Sequence, residues 1–189
     1  MPRIARKLLC GEFFHIIVKG LNNEYIFKEN EYKKEYIKLL KEKINAENVF
    51  VIAYCIIGNH AHILLCSKDF KEVSEYMRKV NTSYGIFYNR KKGRVGYVFK
   101  GRFYTKEIKD KEHLLLCIAY IHNNPVKANI VNKEEYYNYS SYNEYFGNSK
   151  NIFVNKKVLE NIFEKNNENN IMNSLEKCSK IINSIELEI

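Results

Sequence analysis

Two apolar runs, Val49–Ile57 and Ile63–Cys66, constrain this chain more than any other feature; Gly58-Asn59 and then His60-Ala61-His62 separate them. Runs of β-branched and aromatic residues broken by a Gly-Asn pair predict neighbouring strands joined by a tight connection. Side chains alternate faces along a strand, so His60 and His62 share one face while Ala61, small and apolar, turns to the other. Two positions apart in extended chain, their Cα atoms lie about 6.5 Å from each other, within reach of one ion. Gly58 and Asn59 hold the pair at the strand entrance rather than in mid-sheet. The geometry suits a metal site without specifying one.

The remaining pattern is α+β. Glu12–Lys19 (EFFHIIVK) reads as a first strand, ended by Gly20 and Asn22-Asn23. Asn30–Asn45 carries the helical period, with Tyr32, Tyr36, Leu39, Leu40 and Ile44 on one broad face. Asp69–Asn89 reads as a second helix through Val73, Tyr76, Met77, Val80, Tyr84 and Phe87, and Tyr97–Ile108 as one or two short strands split at Gly101. Asp110 is a suitable N-cap for a third helix, which Pro125 must terminate or kink. The order β-α-β-β-α-β-α predicts an antiparallel sheet with helices packed on one face. Residues 1–131 read as one domain. Residues 132–189 read as a Tyr/Asn-rich linker and a helical C-terminal extension, with the polar run Lys165–Asn170 followed by a stripe of Ile171, Leu175, Cys178, Ile182 and Ile185. That last helix either docks on the domain, pairs with a partner or frays.

Charge is where composition matters. The net charge is +9, and nine basic residues with no acid lie between Met77 and Lys106. The same stretch carries Tyr84, Phe87, Tyr88, Tyr97, Phe99, Phe103 and Tyr104. Cations interleaved with aromatic rings suit a surface that neutralises phosphates and stacks unpaired bases. Arg78, Lys79, Arg90, Lys91, Lys92, Arg94, Lys100 and Arg102 are therefore the candidate nucleic-acid contacts; the alternative is a solvated loop with ordinary core aromatics. No apolar run approaches 18 residues and the N-terminus lacks a signal-type apolar core, so no membrane association is expected. Cys10, Cys55, Cys66, Cys117 and Cys178 are odd in number, widely spaced and without a CxxC pair, which argues against a zinc ribbon or disulfide framework and suits a reducing cytoplasm.

A partner for the histidines is found in Ala119-Tyr120-Ile121-His122-Asn123-Asn124-Pro125-Val126. On a helix Tyr120 and Asn124 are i and i+4, so a phenol and an amide oxygen share a face. Asn124 precedes proline, which places the pair at a helix end. Two imidazoles and an amide oxygen leave positions open on a divalent ion for a substrate phosphate, and Tyr120 would be the nucleophile. A buried tyrosine and a polar helix stop account for the same spacing. Of the other histidines, His15 lies in a strand that could neighbour the pair, His122 suits a role in positioning the turn, and His113 reads as a surface residue.

Several motifs in one order resemble the REP-associated tyrosine transposases of the single-tyrosine HUH transposase superfamily. Pro2-Arg3 with FFHIIVKG corresponds to the opening motif, and YCIIGNHAHILL to the strand bearing His-hydrophobic-His. VFKGRFYTKEI, YIHNNPVKANIV and SSYNEYFG follow. Gly58 departs from that pattern, standing where a proline is common. The resemblance implies a ferredoxin-like domain that cuts and rejoins single-stranded DNA beside a hairpin through a 5′-phosphotyrosine. It places His60 and His62 on the metal-binding pair, Tyr120 on the nucleophile and Asn124 on the third ligand, with Mg²⁺ or Mn²⁺ as the ion. A cytoplasmic, nucleoid-associated monomer or homodimer is expected. The rival readings are a catalytically silent hairpin DNA- or RNA-binding descendant and a hydrolase of a small phosphoester.

Overall fold

In the computed structural model, residues 12–44, 48–147, 153–163 and 168–184 are described. Pro2-Arg3, Cys10, Ile185 and the start of the Lys165–Asn170 run lie outside them. The elements are β1 (Phe13–Lys19), α1 (Asn30–Glu42), β2 (Phe50–Ile57), β3 (His60–Cys66), α2 (Phe70–Lys92), β4 (Tyr104–Ile108), α3 (Lys111–Lys127), then the short α4 (Tyr142–Tyr145) and α5 (Lys157–Ile162), and α6 (Glu168–Ser184). The strands form one sheet in the order β2-β3-β1-β4, with every neighbouring pair antiparallel. Two β-α-β crossovers, each spanning one intervening strand, give the ferredoxin-like arrangement.

Alternation sorts the two faces. Phe14, Ile16 and Val18 of β1 and Ala61, Ile63 and Leu65 of β3 are buried on the α1–α2 side, where the Phe14 ring meets Phe70 of α2 at 4.9 Å. His15, His60 and His62 take the opposite face. The two crossover helices share one side as the sequence predicts, and α3 packs across the other, over β2 and β3. This third helix is what encloses the histidine face.

Buried tyrosines join the layers through their hydroxyls, since a buried O–H left unbonded is costly. Tyr76 donates to the Leu40 carbonyl (2.7 Å), Tyr84 to Ile26 (2.6 Å), Tyr137 to Ile56 (2.6 Å) and Tyr145 to Ile52 (2.7 Å). The Asp69 side chain accepts from the Lys71 N–H and the Asp110 side chain from the His113 N–H, capping α2 and α3. Gly93, at φ 59°, closes α2 in the left-handed conformation that glycine adopts without penalty. Pro125 does not stop α3: the helix continues to Lys127 and closes through Asn129, also left-handed at φ 53°. Tyr120 and Asn124 consequently lie in the last two turns of α3, not at its terminus.

The free edge of β2 is covered by 139–141, with Ile56 N–H donating to the Tyr139 carbonyl and Ser141 N–H to Tyr54, both at 2.9 Å. The buried Glu144 carboxylate holds that segment by accepting from Tyr54 Oη (2.6 Å) and from the Phe153 and Val154 amides. The C-terminal stripe docks: α6 packs along α3, burying Leu175 and Ile182. No described helix is long and apolar enough to cross a membrane.

Candidate active site and nucleic-acid surface

Sheet register assembles the site. His60 pairs with Lys19, and His62 with Ile17, at the end of β1; His15, two residues back, lies diagonally beside His62. The β2–β3 turn fixes the entrance, because Gly20 N–H donates to the Asn59 carbonyl (2.8 Å) and the Tyr25 ring lies over Gly58. A Cβ on Gly58 would approach Tyr25 Cδ1 to 2.8 Å, so a side chain in this turn would displace that ring.

Four rings then meet in sequence. His60 and His62 lie 4.9 Å apart between centroids, His62 and Tyr120 5.6 Å with planes at 85°, and His15 and Tyr120 6.1 Å. Tyr120 is half-buried, so its ring is held by the histidines without being lost to the core. The Asn124 side chain donates from Nδ2 to the Tyr120 carbonyl (2.8 Å), which ties it to the same helical turn.

Burial sets the protonation of the site. It holds His60 down to about 4, aided by Lys19, and His15 down to about 3, aided by Lys106 and His113. His62 is held well below its ordinary value by burial, then by His15, His60 and Lys19. All three are neutral imidazoles near pH 7, each with one lone pair and one N–H. The Asn59 amide oxygen, 2.7 Å from His60 Nδ1, can only accept, which puts the hydrogen on Nδ1 and the lone pair on Nε2. His62 Nδ1 is likewise engaged, at 2.9 Å from His15 Nε2. An imidazole pair of this kind suits a divalent ion, and Asn124, one turn from Tyr120, carries an amide oxygen of the hard-donor class. Among the described residues no three His, Cys, Asp or Glu side chains are grouped to hold an ion.

Three cations surround this cluster, none of them among the candidate nucleic-acid contacts. Lys127 Nζ lies 5.6 Å from the centre of the Tyr120 ring, two turns along α3. Lys19 and Lys106 reach the same face through their register with His60 and His15. Only the spacing of Lys127 from Tyr120 on a shared helix could have disclosed any of them beforehand. His122 is buried with Nε2 2.8 Å from Ser141 Oγ, anchoring the segment on the β2 edge as a positioning role demands.

The basic segment divides in two. Lys91 pairs with Glu31 (2.6 Å), Lys92 with Glu29 (3.1 Å) and Arg94 with Glu24 (2.7 Å), fastening the end of α2 to the start of α1. Arg78 and Lys79 share Glu75 along their own helix. Arg90, Lys100 and Arg102 are exposed and make no ion pair among the described residues. Its aromatics divide too: Tyr84 and Tyr88 are core, whereas Tyr97 is 84% and Tyr104 47% exposed. Between α2 and residues 96–103 lies a groove of about 1210 Å³ lined by Arg78, Asn81, Asn89, Tyr97, Phe99 and Arg102. The 96–103 segment is tied to the end of β1, since Lys100 N–H donates to the Lys19 carbonyl (2.8 Å) and Leu21 N–H to Val98 (2.9 Å).

Comparison with known proteins bears on the family and the fold. No curated protein matches the chain. A solved structure of a REP-associated tyrosine transposase bound to a REP hairpin superposes with a TM-score of 0.63 at 15% identity, covering 82% of this chain and 98% of the other. The family model described as "Transposase IS200 like" matches residues 13–124, from the first residue of β1 to Asn124 on α3. With more than half of its length matched in this way, the chain belongs to the IS200-like transposase family.

Proposed function

We infer that this protein is a single-strand DNA endonuclease and strand transferase acting beside a DNA hairpin, with Tyr120 as its nucleophile. The observation that carries the reading is the half-buried Tyr120 ring set against His62 at 5.6 Å. The hydroxyl oxygen attacks a phosphodiester, the P–O3′ bond breaks, and the products are a 5′-phosphotyrosine and a 3′-hydroxyl. The phenol proton lost in the attack is balanced by the one the departing 3′ oxygen gains. A second 3′-hydroxyl reverses the step, so the bond energy is conserved and no nucleotide cofactor is consumed.

His60, His62 and Asn124 would hold Mg²⁺ or Mn²⁺, which when bound supplies Lewis-acid polarisation of the phosphate. The chain's own contribution is electrostatic and positional. Lys127 places a positive charge beside the ring that must become a phenolate, and an unperturbed phenol near pKa 10 needs that assistance. Lys19 and Lys106 add charge on the same face, where a phosphate would lie. The groove beside α2, lined by Arg102 and the exposed Tyr97, is the DNA path, with Arg90 and Lys100 as further exposed cations that make no ion pair among the described residues. A hairpin as the partner is supported by the REP hairpin held by the structural neighbour.

The test is to incubate the protein with Mn²⁺ and a hairpin oligonucleotide bearing a single-stranded flank. A covalent protein–DNA adduct is expected, abolished in Tyr120→Phe. An adduct undiminished in Tyr120→Phe removes the assigned nucleophile. Salt-sensitive binding without any adduct identifies a hairpin-binding protein without strand cleavage.

A further inference from the structure

We propose that His15 is a positioning residue, which sets the tautomer of His62 so that its Nε2 lone pair faces the ion site, and which spaces the Tyr120 ring from it. The proposal rests on the metal-site reading above. His15 is 1% exposed in the middle of β1, between the fully buried Phe14 and Ile16. A buried imidazole there is tolerable only if its nitrogens are used. Its Nε2 lies 2.9 Å from His62 Nδ1, with the rings nearly parallel at 23° and 5.1 Å between centroids. The same ring meets Tyr120 edge-on, at 76°.

Two nitrogens facing each other at that distance share one hydrogen, so one ring donates and the other accepts. With His15 accepting, His62 is the Nδ1–H tautomer and keeps its lone pair on Nε2. That is the tautomer Asn59 imposes on His60, so both histidines of the strand present the same nitrogen. With His15 donating, the His62 lone pair is consumed at Nδ1, and its Nε2 carries a hydrogen that cannot ligate. Only the first arrangement serves a metal. Register explains why this partner comes from β1: it is the strand hydrogen-bonded to β3, and a position diagonal to His62 brings a ring alongside without displacing it.

The experiment is Mn²⁺ titration of the DNA-free protein, followed by the electron paramagnetic resonance signal of free Mn²⁺. Wild type is compared with His60→Ala, His15→Gln, His15→Leu and His15→Asn, with melting temperature recorded for each. His15→Leu should weaken Mn²⁺ binding about 10- to 100-fold, the range for losing the partner that orients a metal-bound histidine. His15→Gln, whose terminal amide can accept where Nε2 did, should bind within a few-fold of wild type despite a similar fall in melting temperature. His15→Asn is too short to reach and should resemble the leucine variant, which keeps the test available should that variant not fold. Wild-type affinity in His15→Leu or His15→Asn, with binding lost in His60→Ala, overturns the role of His15 alone. Wild-type binding no stronger than that of His60→Ala overturns the metal site, and the positioning role with it.

Discussion

Lowering the pH from 7 to 5 should unfold this protein by a route written in its histidines. His15 and His122 are held near 3 and His60 near 4 by burial, against 6.5 in an open chain, and His62 is shifted in the same direction. The unfolded chain therefore binds protons below pH 6.5 that the folded chain refuses, so stability is complete above that value and is lost as the pH falls. For one such histidine, the loss between pH 7 and 5 is about 2 kcal/mol. Three give about 6 kcal/mol before His62 is added, which rivals the whole stability of an ordinary domain, about 5–15 kcal/mol. Glu24, held below its usual range by its hydrogen bond to Arg94, has the same sign but acts only below the carboxylate range. The assay is urea unfolding followed by circular dichroism from pH 5 to 8, with a chelator present so that no ion holds the imidazoles neutral. The slope of stability against pH should correspond to uptake of three to four protons near pH 5.5, at about 1.4 kcal/mol per pH unit for each. His122→Gln, which retains a partner for Ser141, should remove one of them. A slope of one proton or fewer would refute the argument, because it would mean that these rings titrate normally in the folded protein.

Three further outcomes are expected. Replacing Arg90, Lys100 and Arg102 together by alanine should weaken hairpin binding and flatten the slope of log affinity against log salt by about 2, at roughly 0.7–0.9 for each phosphate no longer neutralised; replacing Lys91 and Lys92, already paired with Glu31 and Glu29, should flatten it less. Lys127→Ala should slow adduct formation about 100-fold, the scale for removing one group that stabilises developing charge; hairpin affinity should change little and Lys127→Arg should recover much of the rate. Gly20→Ala should cost about 1–3 kcal/mol in urea unfolding, since its Cβ would collide with the Glu24 carbonyl in a packed turn.

Much of the fold was readable because period and punctuation agree. Alternation in β1 and β3, the 3.6-residue period of α1 and α2, and caps at Asp69 and Asp110 each specify one element, and the crossover lengths leave few ways to pair the strands. The side of the sheet chosen by α3 was not readable, because Leu114, Cys117, Ile118 and Ile121 are apolar in a way that suits either face. Of the two outcomes expected at Pro125, termination does not occur. Proline removes one hydrogen bond and disfavours helix in the residue before it, but these costs are modest in a helix end buried against the sheet and under α6. The edge role of Tyr137, Tyr139 and Ser141 was also hidden, since a backbone pairing made by irregular chain has no period to detect.

The site divides along the same line. His60 and His62 could be singled out because two residues on one strand fix their own relative position, and Tyr120 with Asn124 because one helical turn does the same. What joins the two pairs is register between elements distant in sequence, which no spacing encodes: His15, Lys19 and Lys106 reach the cluster only because β1 lies between β3 and β4. Charge shows the reverse error. A stretch without acids looks like one continuous cationic surface, yet Glu24, Glu29 and Glu31 arrive from the other end of the fold to neutralise Arg94, Lys92 and Lys91. Arg90, Lys100 and Arg102 are left without an ion pair among the described residues, and which cations of the run are paired is decided by the acids that the fold brings beside them.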